Sequence, residues 1–101
     1  FDTETPVEEV CRAFNWIIDQ GYAFYWATSE WEPDQIQRAM TVCEQNGWIA
    51  PIADQCQYNL FIREKVDVKF GNVFDEYGYG TTVWSPLAGG LLTGKYNTEV
   101  P

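Results

Sequence analysis

A chain of 101 residues is enough for one small domain and one core. Hydrophobic residues make up 46% and aromatics 17%, which excludes a disordered chain. Fifteen acidic residues against six basic ones give a formal charge of −9 with no Lys/Arg cluster to offset it, so a nucleic acid is repelled and anionic membrane surfaces are disfavoured.

The first predicted element is a helix opening at Thr5-Pro6-Val7-Glu8. Thr5 is the expected N-cap, Pro6 the first helical residue and Glu8 the partner of a capping box. Val10, Phe14, Ile17 and Ile18 repeat on one face, and Gly21 stops the helix. A short, aromatic, uncharged run over 22–28 then predicts a strand buried on both faces. A turn from Ser29 to Pro33 leads into a second helix, with Ile36, Ala39, Met40 and Cys43 on one face and Asn46-Gly47 at its end.

The second strand is expected over 51–56, followed by a loop at 58–62. A third helix carries Val66, Phe70, Val73, Phe74 and Tyr77, with Gly71 as a weak point and Gly78 and Gly80 at its close. The third strand covers 81–84, and the chain leaves it through Ser85-Pro86-Leu87-Ala88-Gly89-Gly90. The order α-β-α-β-α-β implies a parallel sheet with crossover helices. A doubly wound sheet and a (β/α)8 barrel both satisfy it. Three strands cannot close a barrel of eight, and the ends Phe1 and Val100-Pro101 do not resemble natural termini, so the expectation is an internal piece of a longer protein.

No run of 18 apolar residues is present, so no membrane insertion is expected. Cys11, Cys43 and Cys56 are odd in number, without a C-x-x-C and without any His, which argues against zinc and for buried reduced thiols. The absence of His also removes Ser–His and Cys–His pairs. Paired carboxylates at Glu8-Glu9 and Asp75-Glu76 read as solvated helix charges, as does the cluster Arg63-Glu64-Lys65.

Function in either architecture sits at the C-terminal ends of the strands. Thr28, Ser29, Asp54, Gln55, Gln57, Asn59 and Ser85 gather there. Hydroxyl and amide groups in such a place match a neutral amide-bearing ligand such as a nicotinamide carboxamide, and equally serve to solvate strand ends. Trp84 offers either a face for a flat ring or a core side chain. The Gly-rich stretch from Ser85 to Lys95 can cradle a pyrophosphate, but it carries neither a P-loop nor a dinucleotide fingerprint.

Three blocks now resemble a known family: Ala23 to Trp31 (AFYWATSEW), Gln55 to Asn59 (QCQYN) and Trp84 to Tyr96 (WSPLAGGLLTGKY). They are similar to the aldo-keto reductases, in the branch of the voltage-gated potassium channel β subunits and their fungal and plant relatives. Thr5 to Val10 and Arg63 to Val66 extend the likeness over essentially the whole chain. The resemblance implies a (β/α)8 TIM barrel, here from roughly the fourth helix to the seventh strand and its loop, so that 1–101 is a partial NADP-dependent oxidoreductase domain. It implies NADPH as cofactor, a small carbonyl substrate and a cytoplasmic protein.

By position, Ser29 and Gln55 would bond the nicotinamide carboxamide and Trp84 would stack on its ring. Ser85, Pro86, Leu87, Ala88 and Gly89 would wrap the pyrophosphate, and Lys95 would meet an adenosine-side phosphate. The catalytic Asp, Tyr and Lys and the His or Asn of the family match no residue here and would lie before Phe1. Glu30 stands where channel β subunits often carry Arg, and Ala27 where Gly is usual. The resemblance leaves three readings open: a reductase, an NADPH-sensing channel subunit that forms a homotetramer on a potassium channel α subunit, or a piece inactive by itself.

Overall fold

The structure is a computed structural model, and it describes residues 1–99. Helix α1 spans Val7–Asp19, strand β1 Thr28–Ser29, helix α2 Pro33–Asn46 and strand β2 Ala53–Gln57. A π-helical turn at Lys65–Lys69 precedes helix α3, Gly71–Tyr77, and strand β3, Gly80–Trp84. A 3-10 segment at Ala88–Thr93 follows. The strands form one sheet in the order β1-β2-β3, and both pairings are parallel. The alternating α/β order expected from the sequence is therefore present.

The register aligns Thr28 with Asp54, Ser29 with Gln55, and Gln55 with Thr82. Along β2, Asp54 and Cys56 are buried while Ala53, Gln55 and Gln57 are not. This period of two marks one covered face and one open face. A single core joins residues of α1, α2 and α3 to the covered face: Cys11, Ile36, Ala39, Cys43, Cys56, Phe70 and Val73 are all fully buried. Helices on one side only are the pattern of a singly wound sheet; a doubly wound sheet carries them on both.

Several local expectations are corrected. Thr5 does not cap α1; its hydroxyl donates to Asp2 Oδ2, and Pro6 occupies the cap position with no side-chain bond. The reciprocal geometry expected there occurs at α2 instead, where the Glu32 N–H donates to Gln35 Oε1 at 2.9 Å. The face of α1 that enters the core centres on Val7, Cys11 and Asn15; of the residues expected there Val10 and Ile18 pack against the core, half-buried, and Phe14 is exposed and stacked on Trp26 at 4.8 Å. The third helix is divided at Phe70, where the Phe70 N–H reaches back five residues to Lys65 O.

The largest correction concerns the run over 22–28. Only Thr28 and Ser29 pair as a strand, and Tyr22, Phe24 and Tyr25 are 76%, 87% and 67% exposed. β1 is an edge of this sheet, so the aromatic run has a neighbour on one side alone. The radius of gyration, 16.5 Å, exceeds the roughly 13 Å of a compact domain of this length. The chain is thus a layer of helices on a sheet whose second face has no cover among the described residues.

The helix ends follow local chemistry. Gly47 and Gly78 sit at φ 66° and 63°, left-handed positions that a side chain disfavours, and they stop α2 and α3. Asn15 performs a tertiary task. Its amide donates to Cys11 O and Ile49 O and accepts from the Ile49 N–H at 2.7 Å, which ties α1 to the entry of β2.

Candidate functional site

The C-terminal ends of the three strands meet at one edge of the open face. The polar groups expected there divide into two sets. Thr28, Asp54 and Asn59 face inward and are used by the protein itself. Thr28 Oγ1 donates to Asp54 Oδ1 at 2.6 Å, and Asp54 also accepts the N–H groups of Glu30 and Trp31. With its hydrogen committed to Asp54, Thr28 receives the Tyr79 hydroxyl at 2.7 Å. Burial pushes the Tyr79 phenol well above its ordinary value. Asn59 accepts from the N–H groups of Phe61 and Ile62 and donates to Ser85 O at 3.0 Å, which anchors the loop after β3.

Ser29 and Gln55 form the outward set. They are exposed and directly aligned in register. Ser29 Oγ donates to Gln55 O at 3.2 Å, which leaves its lone pairs free to accept. The Gln55 side-chain amide adds a donor and an acceptor beside it. Thr82 aligns with Gln55 on β3 and extends this row; the sequence reading did not single it out. The register supplies that information, and it depends on residues far apart in the chain.

Trp84 ends β3 and is 46% exposed, so it is not a core residue. Its Nε1–H donates to Glu30 Oε1 at 2.8 Å. Glu30 Oε1 also accepts the Gln57 N–H at 2.7 Å, and Glu30 Oε2 receives Lys65 Nζ at 3.2 Å. Burial opposes ionisation of Glu30, but the bonds from Trp84, Gln57 and Lys65 outweigh it and hold the carboxyl below its usual range. Lys65 is correspondingly no plain solvated charge. Its side chain is 16% exposed, with Nζ 5.7 Å from the Phe70 ring centre.

The loop after Trp84 turns sharply. Ser85 and Ala88 lie at φ 55° and 51°, and Gly89 and Gly90 at 67° and 99°. The Ala88 N–H donates to Ser85 O, and the Gly90 N–H to Leu87 O, which closes the loop in two tight steps. Pro86 and Leu87 are exposed at its tip. Lys95 returns to this loop. A Cβ on Gly90 would stand 2.6 Å from Lys95 Cε and 3.1 Å from its Nζ. Ser85, Pro86, Leu87, Ala88, Gly89 and Lys95 therefore share one corner, downstream of the Ser29–Gln55 row.

The three cysteines are buried and unpaired with one another as disulfides. Among the described residues no group of three His, Cys, Asp or Glu is arranged to hold a metal. Among the described residues no helix is long and apolar enough to cross a membrane. A concavity of about 680 Å³ lies along α1, lined by Glu9, Arg12, Ala13, Trp16 and Ile17.

The whole chain, residues 1–101, matches the model of the Aldo/keto reductase family. The chain belongs to the aldo/keto reductase family. It is 54% identical over 95 residues to a probable voltage-gated potassium channel subunit beta of Oryza sativa subsp. japonica. It is 49% identical over 96 residues to the protein of the same description in Arabidopsis thaliana. A putative voltage-gated potassium channel subunit beta of Schizosaccharomyces pombe is 48% identical over 100 residues. These matches cover 94%, 95% and 99% of this chain, which spans 29% of the length of each relative. Family membership accords with the singly wound parallel layer, since the family implies a TIM barrel.

Proposed function

We propose that this chain is the cofactor-holding segment of an NADPH-dependent aldo-keto reductase that reduces small aldehydes or ketones to alcohols. The observation that carries this reading is the Ser29–Gln55 pair, aligned and exposed beside a half-exposed Trp84 at the strand ends. Its donors and acceptors fit a carboxamide, and the adjacent corner with Lys95 fits phosphate. In the parent protein the segment runs from about the fourth helix to the seventh strand of a (β/α)8 barrel, with residues 1–101 as part of one oxidoreductase domain in a cytoplasmic protein.

Ser29 would accept from the carboxamide N–H, and Gln55 would both donate to and accept from it. Trp84 would cover one face of the ring and exclude water there. The Ser85 to Gly89 loop and Lys95 would hold the phosphates through backbone N–H groups and one positive charge. When bound, the cofactor supplies the hydride. The family's proton donor matches no residue of this chain, and the inward hydroxyls of Thr28 and Tyr79 are engaged with Asp54 and with each other.

Fluorescence titration of the full-length protein with NADPH tests the reading. Trp84→Ala should weaken binding about tenfold, the loss of roughly one good ring contact. Unchanged affinity in that variant overturns the role of the strand-end site.

The names of the relatives favour a second reading, in which the parent protein is a channel β subunit that uses NADPH as a sensor and assembles as a homotetramer with a potassium channel α subunit. Native pull-down and mass measurement of the full-length protein distinguish it. Recovery of neither a tetramer nor a channel removes it and leaves the reductase.

A further inference from the structure

We infer that Glu30 is a positioning residue, which fixes the indole of Trp84 edge-on so that one ring face remains presented to a flat ligand ring. This rests on the cofactor reading above and adds a residue to it.

Three observations carry it. Glu30 gathers donors from three separate elements: the Gln57 N–H of β2, the Trp84 indole of β3 and Lys65 Nζ of the π-helical turn. One carboxylate leaving β1 thus ties together the ends of all three strands. Glu30 also adopts φ 55°, a left-handed backbone that a residue with a side chain enters only against strain. The carboxylate is aimed across the sheet from that position. Finally, indole has a single polar atom, Nε1–H, on its edge. Holding that atom at 2.8 Å restrains the edge and leaves the faces open, and Trp84 is 46% exposed.

Lys65 completes the clamp. Its Nζ lies 3.2 Å from Glu30 Oε2 and leaves Oε1 to Trp84 and Gln57. The role required of residue 30 is therefore an acceptor of the indole N–H at fixed position, which a carboxamide oxygen can also supply.

The test compares Glu30→Ala and Glu30→Gln in the full-length protein, by NADPH titration and by the Trp84 Nε1–H resonance of the free protein. Glu30→Ala should weaken NADPH binding about fivefold or more and move and broaden the indole resonance. Glu30→Gln should retain the resonance and keep affinity within about twofold. Glu32→Gln removes a neighbouring carboxylate that contacts Lys65 and Lys69 but not Trp84, and should leave both readouts unchanged. Wild-type affinity in Glu30→Ala overturns the inference, as does an equal loss in Glu30→Gln and Glu30→Ala. If Glu30→Ala does not fold, Glu30→Gln decides through its indole resonance, whose loss overturns the role. A wild-type protein that does not bind NADPH overturns the cofactor reading, and this inference with it. Binding that is insensitive to residue 30 overturns this inference alone.

Discussion

Thr28 and Asp54 meet 2.6 Å apart inside the sheet, across the β1–β2 pairing. Asp54 is fully buried, yet three protein donors reach its carboxylate, the Thr28 hydroxyl and the N–H groups of Glu30 and Trp31, and Thr28 in turn receives the phenol of Tyr79. The same carboxylate therefore orders the interior and shapes the turn that carries Ser29, Glu30 and Trp31.

Asp54→Ala should be the most damaging strand-end substitution. It leaves the Trp31 N–H without an acceptor, while the Glu30 N–H keeps Gln55 O and the Thr28 hydroxyl keeps Ala53 O at 3.3 Å, and the expected loss of stability is about 2 kcal/mol. Urea denaturation of the full-length variant measures it. A loss below about 1 kcal/mol would show that water replaces the carboxylate.

The corner of the loop makes a graded prediction. Gly90→Ala adds a Cβ 2.6 Å from Lys95 Cε at a backbone φ of 99°, whereas Gly89→Ala at φ 67° meets nothing within 4 Å. Both variants bear left-handed strain of about 1 kcal/mol, but only Gly90→Ala must displace Lys95. NADPH affinity should fall more in Gly90→Ala than in Gly89→Ala, and Lys95→Ala should abolish the difference between them.

The thiols should be inert in the native protein. Cys11 is pushed up to about 12, first by burial and then by the neighbouring Cys43, and burial also raises Cys43 and Cys56. Alkylation followed by peptide mapping should find Cys11, Cys43 and Cys56 unmodified at pH 8 until denaturant is added. Rapid native labelling of any of them would place it at a mobile surface.

Tyr79 sets an alkaline limit. Its folded value is raised above the ordinary 10, chiefly by burial. A group raised on folding contributes stability that is fully present below its unfolded value and is lost as pH rises toward the folded one. Stability should therefore fall as pH climbs above about 10, and Tyr79→Phe should flatten that part of the curve. The same substitution removes the hydroxyl from Thr28, so it should lower stability at pH 7 by about 1 kcal/mol.

Much of the candidate site was legible because strand ends and turns are signalled locally. Ser29 and Gln55 were found from apolar runs that end in polar residues, whereas Trp84 was assigned to the site only by the family resemblance, and the structure leaves all three exposed. Asp54 and Asn59 were grouped with them by the same signal, and they face inward. Position along the strand cannot separate the two sets, because alternate residues point to opposite faces and only the packed helices decide which face is interior. The run over 22–28 was misjudged for a related reason. Its composition suits a doubly covered strand, but β1 has one neighbour here, and Phe24 stands 87% exposed.

The amino-acid sequence by itself determined the order of helices and strands, the glycine stops at Gly47 and Gly78, the family likeness and the absence of a histidine catalyst. Each of these rests on short-range periodicity, turn chemistry or residue identity. Only the tertiary structure decided that Glu30 binds Trp84, 54 residues away, that Thr28, Asp54 and Tyr79 form one buried network, and that Lys95 lies over Gly90. The Glu30 and Tyr79 contacts appear only when parallel strands from distant parts of the chain come into register, and the Lys95 contact only when the loop closes through left-handed turns.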